Sequence, residues 1–258
     1  MPATLARVGD MTTFASLLAR RLRDDPARPL VTYYDEATGE RTELSVVTYA
    51  NWVAKASGLL ADEHELERGQ RLRLDLPPHW LTTVFLGAAW NVGLTVTEDE
   101  PDAVVCGPAT VETWAARAHD ETVLACSLLP LGMRFEEPLP AGVHDVGVEI
   151  WGQPDGFAPW DPPTDDDLAV DAQTNADWWA AAAGASLPSG SRLMVEVGRA
   201  SPPQPTSAEP FALVFAQVVT TLSGSLVLVR GADSDRLDAI AREEKVTTLA
   251  WPGTVSEH

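Results

Sequence analysis

The spacing of apolar residues along the chain predicts most of its helices. In segments 12–23 and 48–62, apolar residues recur every three or four positions, which is typical of a helix with one buried face. Segment 79–91 is apolar almost throughout, so we expect a helix buried between two layers. The same reasoning predicts further helices at 110–118, 174–186, 210–222 and 234–244, with Thr174 or Asn175 capping the second of these.

Between the helices, short runs of alternating or β-branched residues predict strands. These strands fall at 29–34, 41–46, 71–76, 94–97, 103–106, 122–126, 192–197, 226–230 and 246–251. The first two read as a hairpin, because turn-forming residues separate them. Strands and helices then alternate along the chain, which predicts an α/β protein with mostly parallel sheets and helices on both faces.

One segment breaks this alternation. Residues 128–166 are rich in proline and glycine and show few periodic signals, with one short strand expected at 145–150. We therefore predict a loose tail at 1–11, a first α/β subdomain at 12–127, a crossing segment at 128–166 and a second subdomain at 167–258, all within one compact unit. Met11 is a second candidate for the start of translation, because helical patterning begins directly after it.

Charge and cysteine usage exclude some classes of partner. The formal net charge is -20, and such a field repels nucleic acid and anionic membrane surfaces. Cys106 and Cys126 sit in separate apolar runs and form no CxxC pair, which indicates buried strand residues with free thiols. We therefore expect a cytoplasmic protein that binds neither nucleic acid nor membrane.

Several short motifs resemble one enzyme family. They are Thr-Tyr-Ala at 48–50, Gly-Gln-Arg at 69–71, Leu-Pro at 76–77, Asp-Leu-Ala-Val at 167–170, and the stretches 222–228, 240–248 and 251–252. In this order they are similar to the amino-terminal part of AMP-dependent synthetases and ligases, the adenylate-forming class that includes acyl-CoA synthetases. The chain also resembles the small actinobacterial TIGR03089 family. The resemblance implies a layered αβαβα fold, a remnant of the amino-terminal domain of those enzymes.

The residues that perform the family's chemistry are missing. Its phosphate-binding loop is rich in Thr, Ser and Gly and closed by Pro-Lys-Gly, so that N–H groups and a lysine hold a triphosphate. Here Val170 is followed directly by Asp171, and Asp177 stands close by, so carboxylates replace the cationic clamp. The two lysines, Lys55 and Lys245, lie elsewhere. We also expect the chain to stop short of the family's adenine-binding and magnesium-binding motifs and its carboxy-terminal domain, which leaves no catalytic, cofactor-binding or metal-binding residue.

Other chemistry is weakly indicated. The histidines show neither HExxH nor HxH spacing, so a zinc site is not expected, and the aspartates between 161 and 167 read as a solvated loop. Trp178 and Trp179 are adjacent, so on a helix one should face inward and the other partly outward. A core role is favoured for them over a partner surface. The candidate contacts for a ligand or partner lie beside the deleted loop, and they are Gln173, Thr174, Asn175, Trp178, Trp179 and Trp251.

Three functional hypotheses follow. The leading one is a non-catalytic, acyl-CoA synthetase-like pseudoenzyme that binds no cofactor and instead binds a protein partner or a small apolar or acyl ligand. The alternative is an AMP-dependent, carboxylate-activating enzyme of the acid–thiol ligase type that works with a separate carboxy-terminal half. The third is a homodimer in which a twin subunit covers an open sheet edge.

Overall fold

The computed structural model describes residues 13–184, 187–198 and 207–250, with the side chain of residue 250 left aside. The predicted amino-terminal tail and Trp251 lie outside these residues. The helices are α1 (Phe14–Asp24), α2 (Val46–Gly58), α3 (Trp80–Val92), α4 (Val111–Ala115), α5 (Val146–Glu149), α6 (Asn175–Gly184), α7 (Ala208–Thr220) and α8 (Ser234–Glu243). The strands are β1 (Pro29–Asp35), β2 (Glu40–Ser45), β3 (Arg71–Asp75), β4 (Thr95–Val96), β5 (Ala103–Cys106), β6 (Thr122–Ala125), β7 (Val143–Asp145), β8 (Leu168–Val170), β9 (Gln173–Thr174), β10 (Arg192–Val197), β11 (Ser225–Arg230) and β12 (Thr248–Ala250).

The strands form two sheets. The first has the order β12-β10-β11-β1-β2 and is parallel except at β2, which returns antiparallel to β1 as the sequence predicts. The second has the order β7-β6-β5-β3-β4-β8-β9 and is parallel except at β9. The predicted α/β class with mostly parallel sheets is confirmed.

Each sheet takes strands from both sides of the crossing segment 128–166. The amino-terminal hairpin of β1 and β2 pairs with β11 and so joins the sheet built from the end of the chain. Conversely, β8 pairs with β4 and joins the sheet built from the first half. The two predicted subdomains therefore share their sheets.

The main core lies between the two sheets and is built on α3. Every residue of α3 except Asn91 is buried, as its uniformly apolar sequence predicts. Trp90 lies at the centre of this layer, with its ring 5.8 Å from Phe14 of α1, 5.0 Å from Trp179 of α6 and 6.5 Å from Phe215 of α7, centroid to centroid. Helices from distant parts of the chain thus meet in one aromatic cluster, which fixes the distance between the sheets.

The outer layers are thinner. Helix α8 covers the outer face of the first sheet through Leu237 and Ile240, and α4 covers that of the second through Val111 and Trp114. Cys106 and Cys126 are buried free thiols, as predicted, and burial raises the pKa of Cys106 to about 12. No helix in the part of the chain that the structure describes is long and apolar enough to cross a membrane.

The crossing segment corrects one prediction. The strand expected at 145–150 is instead β7, which ends at Asp145, followed by the short helix α5 and one 3₁₀ turn. The Asp145 carboxylate accepts a hydrogen bond from the N–H of Gly147 at 2.9 Å and so caps α5. Gly147 also lies against the backbone of Arg134, where a Cβ atom would be 2.5 Å away, so this turn depends on glycine.

A buried arginine joins α1 to the carboxyl end of α7. The Arg21 guanidinium donates to the carbonyl oxygens of Val218 at 3.0 Å and Thr221 at 3.0 Å, and also to Gly224. These carbonyls lie at and beyond a helix end, where they lack intrahelical donors, and the negative end of the helix dipole favours a cation. Burial lowers the pKa of Arg21 to about 10, so the side chain stays charged at neutral pH.

A buried histidine begins α3. His79 is 1% exposed, and its Nδ1 accepts a hydrogen bond from the N–H of Leu81 at 3.1 Å, which makes it the N-cap of the helix. Burial, with the nearby positive charge of Arg230, lowers the pKa of His79 from 6.5 to about 3. The unfolded chain therefore takes up a proton at this residue as the pH falls below 6.5, whereas the folded chain does not.

This difference predicts acid sensitivity. Between pH 7 and pH 5 the protein should lose about 2 kcal/mol of unfolding free energy through His79 alone. His79→Asn keeps a side-chain acceptor for the helix cap but removes the titrating imidazole. Chemical denaturation at pH 7 and pH 5 should therefore show a smaller loss of unfolding free energy in this variant than in the unchanged protein. His119→Asn, at an exposed histidine, is the control and should behave as the unchanged protein does. Equal pH dependence in all three proteins would contradict the assignment.

Candidate functional site

Five of the six candidate residues lie in β9 and α6, directly after a tight turn between β8 and β9. Val170 and Gln173 are paired across this hairpin, so only Asp171 and Ala172 connect the two strands. Asp171 has a φ of 47°, a left-handed conformation that aspartate and asparagine tolerate better than most residues. A two-residue turn therefore occupies the position where the resemblance implies a long phosphate-binding loop.

Thr174 and Asp177 are used by helix α6 itself. The Thr174 hydroxyl accepts from the N–H of Asp177 at 3.2 Å and donates to the Asp177 carboxylate at 2.9 Å. Thr174 is thus the cap, one of the two residues predicted for that role. The Asp177 carboxylate lies in the first turn of α6, where its negative charge interacts favourably with the helix dipole. A bound anion at this helix end would be repelled by that charge.

Asn175 is buried and holds the preceding loop in place. It is 4% exposed, its Nδ2 donates to the Thr164 carbonyl at 2.9 Å, and its backbone N–H donates to the Asp167 carbonyl at 2.8 Å. Gln173 is half-buried, with one long contact of 3.4 Å from its amide nitrogen to Glu209. Of these two neighbours, only Gln173 has a side chain that a ligand could reach.

Trp178 and Trp179 are both buried, at 1% and 0% exposure. The expectation that one of them would face partly outward is wrong, because α6 is covered on one side by α7 and on another by the ring of Trp90. The core interpretation of the pair is correct. Trp251, the sixth candidate, lies outside the described residues.

A groove with a volume of about 660 Å³ opens beside the turn. It lies at the carboxyl ends of β4 and β8, the edge at which parallel sheets commonly bind ligands. Its acidic side chains belong to exposed residues, and its one basic side chain among the described residues is Arg71, which already pairs with Glu100 at 3.4 Å. The groove acids are Glu98, Asp99, Asp171 and Glu209.

The electrostatics of this groove oppose a polyphosphate. Four carboxylates face one guanidinium that is already paired, so a triphosphate placed here would meet net repulsion. Two of the aspartates at 161–167 are ion-paired, since Arg68 pairs with Asp161 at 2.9 Å and with Asp167 at 3.2 Å. This loop is therefore anchored by an ion-paired arginine.

One cluster was missed by sequence reasoning. His64, His144 and Glu149 are brought together although 80 residues separate the two histidines. Spacing rules find histidines that share a helix or a strand, whereas these meet only because β7 lies beside the end of α2. The only sequence signal was the rarity of histidine itself, with five in the chain.

The contrast between Asn175 and Gln173 gives a test of their roles. Asn175→Ala should lower the free energy of unfolding by about 1–3 kcal/mol, because it removes the side-chain hydrogen bond to the Thr164 carbonyl and leaves a cavity at a buried position, while the backbone bond to Asp167 remains. Gln173→Ala, two residues away, should change it by less than about 0.5 kcal/mol. Urea denaturation followed by tryptophan fluorescence measures both. If the two variants lost the same unfolding free energy, Asn175 would have no larger structural role than Gln173.

Known proteins that are similar to this chain belong to the groups that its sequence motifs resemble. No family model matches the chain. A TIGR03089 family protein of Mycobacterium tuberculosis is 40% identical over 157 residues, which cover 57% of this chain and 63% of that protein. The match thus spans less than two thirds of the curated relative.

Solved structures share the fold at low sequence identity. An acyl-CoA synthetase of Brucella canis has a TM-score of 0.71 and 17% identity, covering 94% of this chain and 47% of its own. The acetoacetyl-CoA synthetase of Streptomyces lividans has a TM-score of 0.74 and 14% identity, covering 93% and 42%. The resemblance in the motifs is confirmed: the chain is similar to a TIGR03089 family protein and has the fold of the amino-terminal domain of acyl-CoA synthetases.

Proposed function

We propose that the chain is a non-catalytic homologue of acyl-CoA synthetases that serves as a protein-interaction module. The observation that supports the proposal is the two-residue turn at Asp171 and Ala172, at the position where the resemblance implies a phosphate-binding loop. A triphosphate needs several convergent N–H groups and a cation, and this hairpin offers neither. Adenylate formation has no means of holding its nucleotide at this position.

The acidic groove favours a partner that carries positive charge. Glu98, Asp99, Asp171 and Glu209 line it, and all four belong to exposed residues. Such a surface attracts an arginine-rich or lysine-rich protein segment, which can pair with several carboxylates at once. A small apolar ligand is less favoured, because the tryptophans that could have lined an apolar pocket beside the turn are buried in the core.

The alternative is a carboxylate-activating enzyme that works with a second, separately encoded half. Its support is the fold, which is shared at a TM-score of 0.64 with a structure described as ATP bound MatB from Rhodopseudomonas palustris. At 16% identity, that likeness supports a shared fold and gives no support for shared phosphate-binding residues.

Nucleotide binding separates the two functions. Titration of the full chain with ATP and Mg²⁺ in a calorimeter should show no binding tighter than about 1 mM, because the groove repels the phosphates. Submillimolar binding, or pyrophosphate release in the presence of fatty or aromatic acids, would favour the enzyme and contradict the proposal.

The partner's charge can be tested with a simple probe. A fluorescent deca-arginine peptide should bind the chain, and the quadruple variant Glu98→Gln, Asp99→Asn, Asp171→Asn and Glu209→Gln should bind it at least about tenfold more weakly. The matched control neutralises four exposed acids outside the groove, Glu112, Glu136, Asp235 and Asp238, and so removes the same total charge. The measurement is made at low salt and near 0.15 M salt. At the higher concentration the attraction of distant charges is screened, so the remaining binding reports ion pairs in close contact. Equal loss in both variants would show that only net charge attracts the peptide.

A further inference from the structure

Two histidines and a glutamate converge on the crossing segment, away from the groove. His64 Nε2 lies 2.9 Å from one oxygen of the Glu149 carboxylate, and His144 Nδ1 lies 3.0 Å from the other. The two imidazole rings meet edge to face at 4.3 Å between centroids. One potential ligand atom of each residue lies within 4.8 Å of the other two.

Three different elements present these side chains. His64 ends the π-helical turn Leu59–Glu63 that continues α2, and its backbone N–H donates to the Leu59 carbonyl at 3.1 Å. His144 is the middle residue of β7, where side chains alternate between faces, so it points away from Val143, which packs against the outer cluster. Glu149 is the last residue of α5, placed by the Asp145 cap at the start of that helix.

Burial makes the cluster a defined site with an entrance. The His64 side chain is 8% exposed, Glu149 is 27% exposed and His144 is 42% exposed. The histidines are the polar partners of the Glu149 carboxylate within the described part of the chain, and no lysine or arginine there pairs with it. The carboxylate charge is therefore free to balance a cation, which could approach past His144.

The donor set is one that transition metals prefer. Two imidazole nitrogens and one carboxylate oxygen form a three-ligand set that leaves a fourth position for water. Around a tetrahedral Zn²⁺ with bonds of about 2.0–2.1 Å, neighbouring ligand atoms lie about 3.3 Å apart. The observed contacts of 2.9 and 3.0 Å run to the two different oxygens of Glu149, and the three ligand atoms lie within 4.8 Å of one another. Side-chain movements of up to about 1.5 Å would bring them to the spacing of a tetrahedral site.

We propose that His64, His144 and Glu149 form a binding site for a divalent transition-metal ion of the Zn²⁺ type. The ion would replace the hydrogen bonds that now join the three side chains and would connect the end of α2 to β7 and α5. Because residues 128–166 contain little regular structure, such a cross-link would stabilise that segment more than any single hydrogen bond there. The site is independent of the acidic groove and of the proposed function.

Zinc titration of the chelator-treated full chain tests the proposal. Calorimetry should show one Zn²⁺ bound per chain, and the same ion should raise the melting temperature. His144→Ala and Glu149→Gln should each weaken binding at least about tenfold. Both residues are partly exposed, so circular dichroism should show an unchanged fold, whereas His64→Ala removes a mostly buried side chain and is informative only if it folds.

His119 supplies the matched control. It is also a histidine beside a carboxylate, 3.0 Å from Asp120, but both are more than 70% exposed and belong to no three-ligand group among the described residues. His119→Ala should leave zinc affinity unchanged. Co²⁺ gives a second readout, since its visible absorption should intensify on binding to the unchanged protein and not to Glu149→Gln.

Two results would overturn the inference. One is the absence of Zn²⁺ binding tighter than about 100 μM, which would mean that the three side chains form a hydrogen-bonded cluster only. The other is binding that survives both His144→Ala and Glu149→Gln, which would place the ion elsewhere on this acidic protein.

Discussion

The aromatic layer between the two sheets is the constraint on which the rest of the structure depends. Trp90 sits where α1, α3, α6 and α7 meet, and its neighbours Phe14, Trp179 and Phe215 come from the beginning, middle and end of the described chain. The indole nitrogens of Trp90 and Trp179 have no hydrogen-bond partner among the described residues, so ring packing and burial hold this layer. Arg21 adds a polar tie between α1 and α7 at the edge of the same layer. Any change in the spacing of the sheets would disturb all of these contacts at once.

This arrangement leaves the turn between β8 and β9 outside the layer that holds the fold together. The β8–β9 turn lies at the rim of the second sheet, and its residues Asp171 and Ala172 contribute nothing to the aromatic layer. A tight turn is accommodated there because the strands on either side are paired and α6 is capped by Thr174. Fold and site are therefore separable in this protein, as they are in other widely used folds. The charges at the rim therefore affect what can bind there and not how the core packs.

The histidine–glutamate cluster illustrates the opposite relation between fold and chemistry. No single helix or strand contains all three side chains of this cluster. They come together only because β7 lies beside the end of α2. The crossing segment has little regular structure, yet it supplies two of the three side chains. Its proximity to α2 is maintained by packing, with the ring of Trp151 lying 5.3 Å from that of Trp52. The segment is thus held to the core by aromatic contact on one side of the cluster.

Local pattern determined much of this protein. The burial of α3, the free thiols and the α/β class can all be read from neighbouring residues, because helical and strand periodicity are local properties. Tertiary structure alone decided that both Trp178 and Trp179 are buried, since a single helix has an outward face until other helices cover it on two sides. It also decided that the first hairpin joins the last strands of the chain, and that His64 meets His144. These outcomes depend on contacts between residues that are distant in sequence. Such contacts leave no pattern among neighbouring residues, so a single sequence does not reveal them.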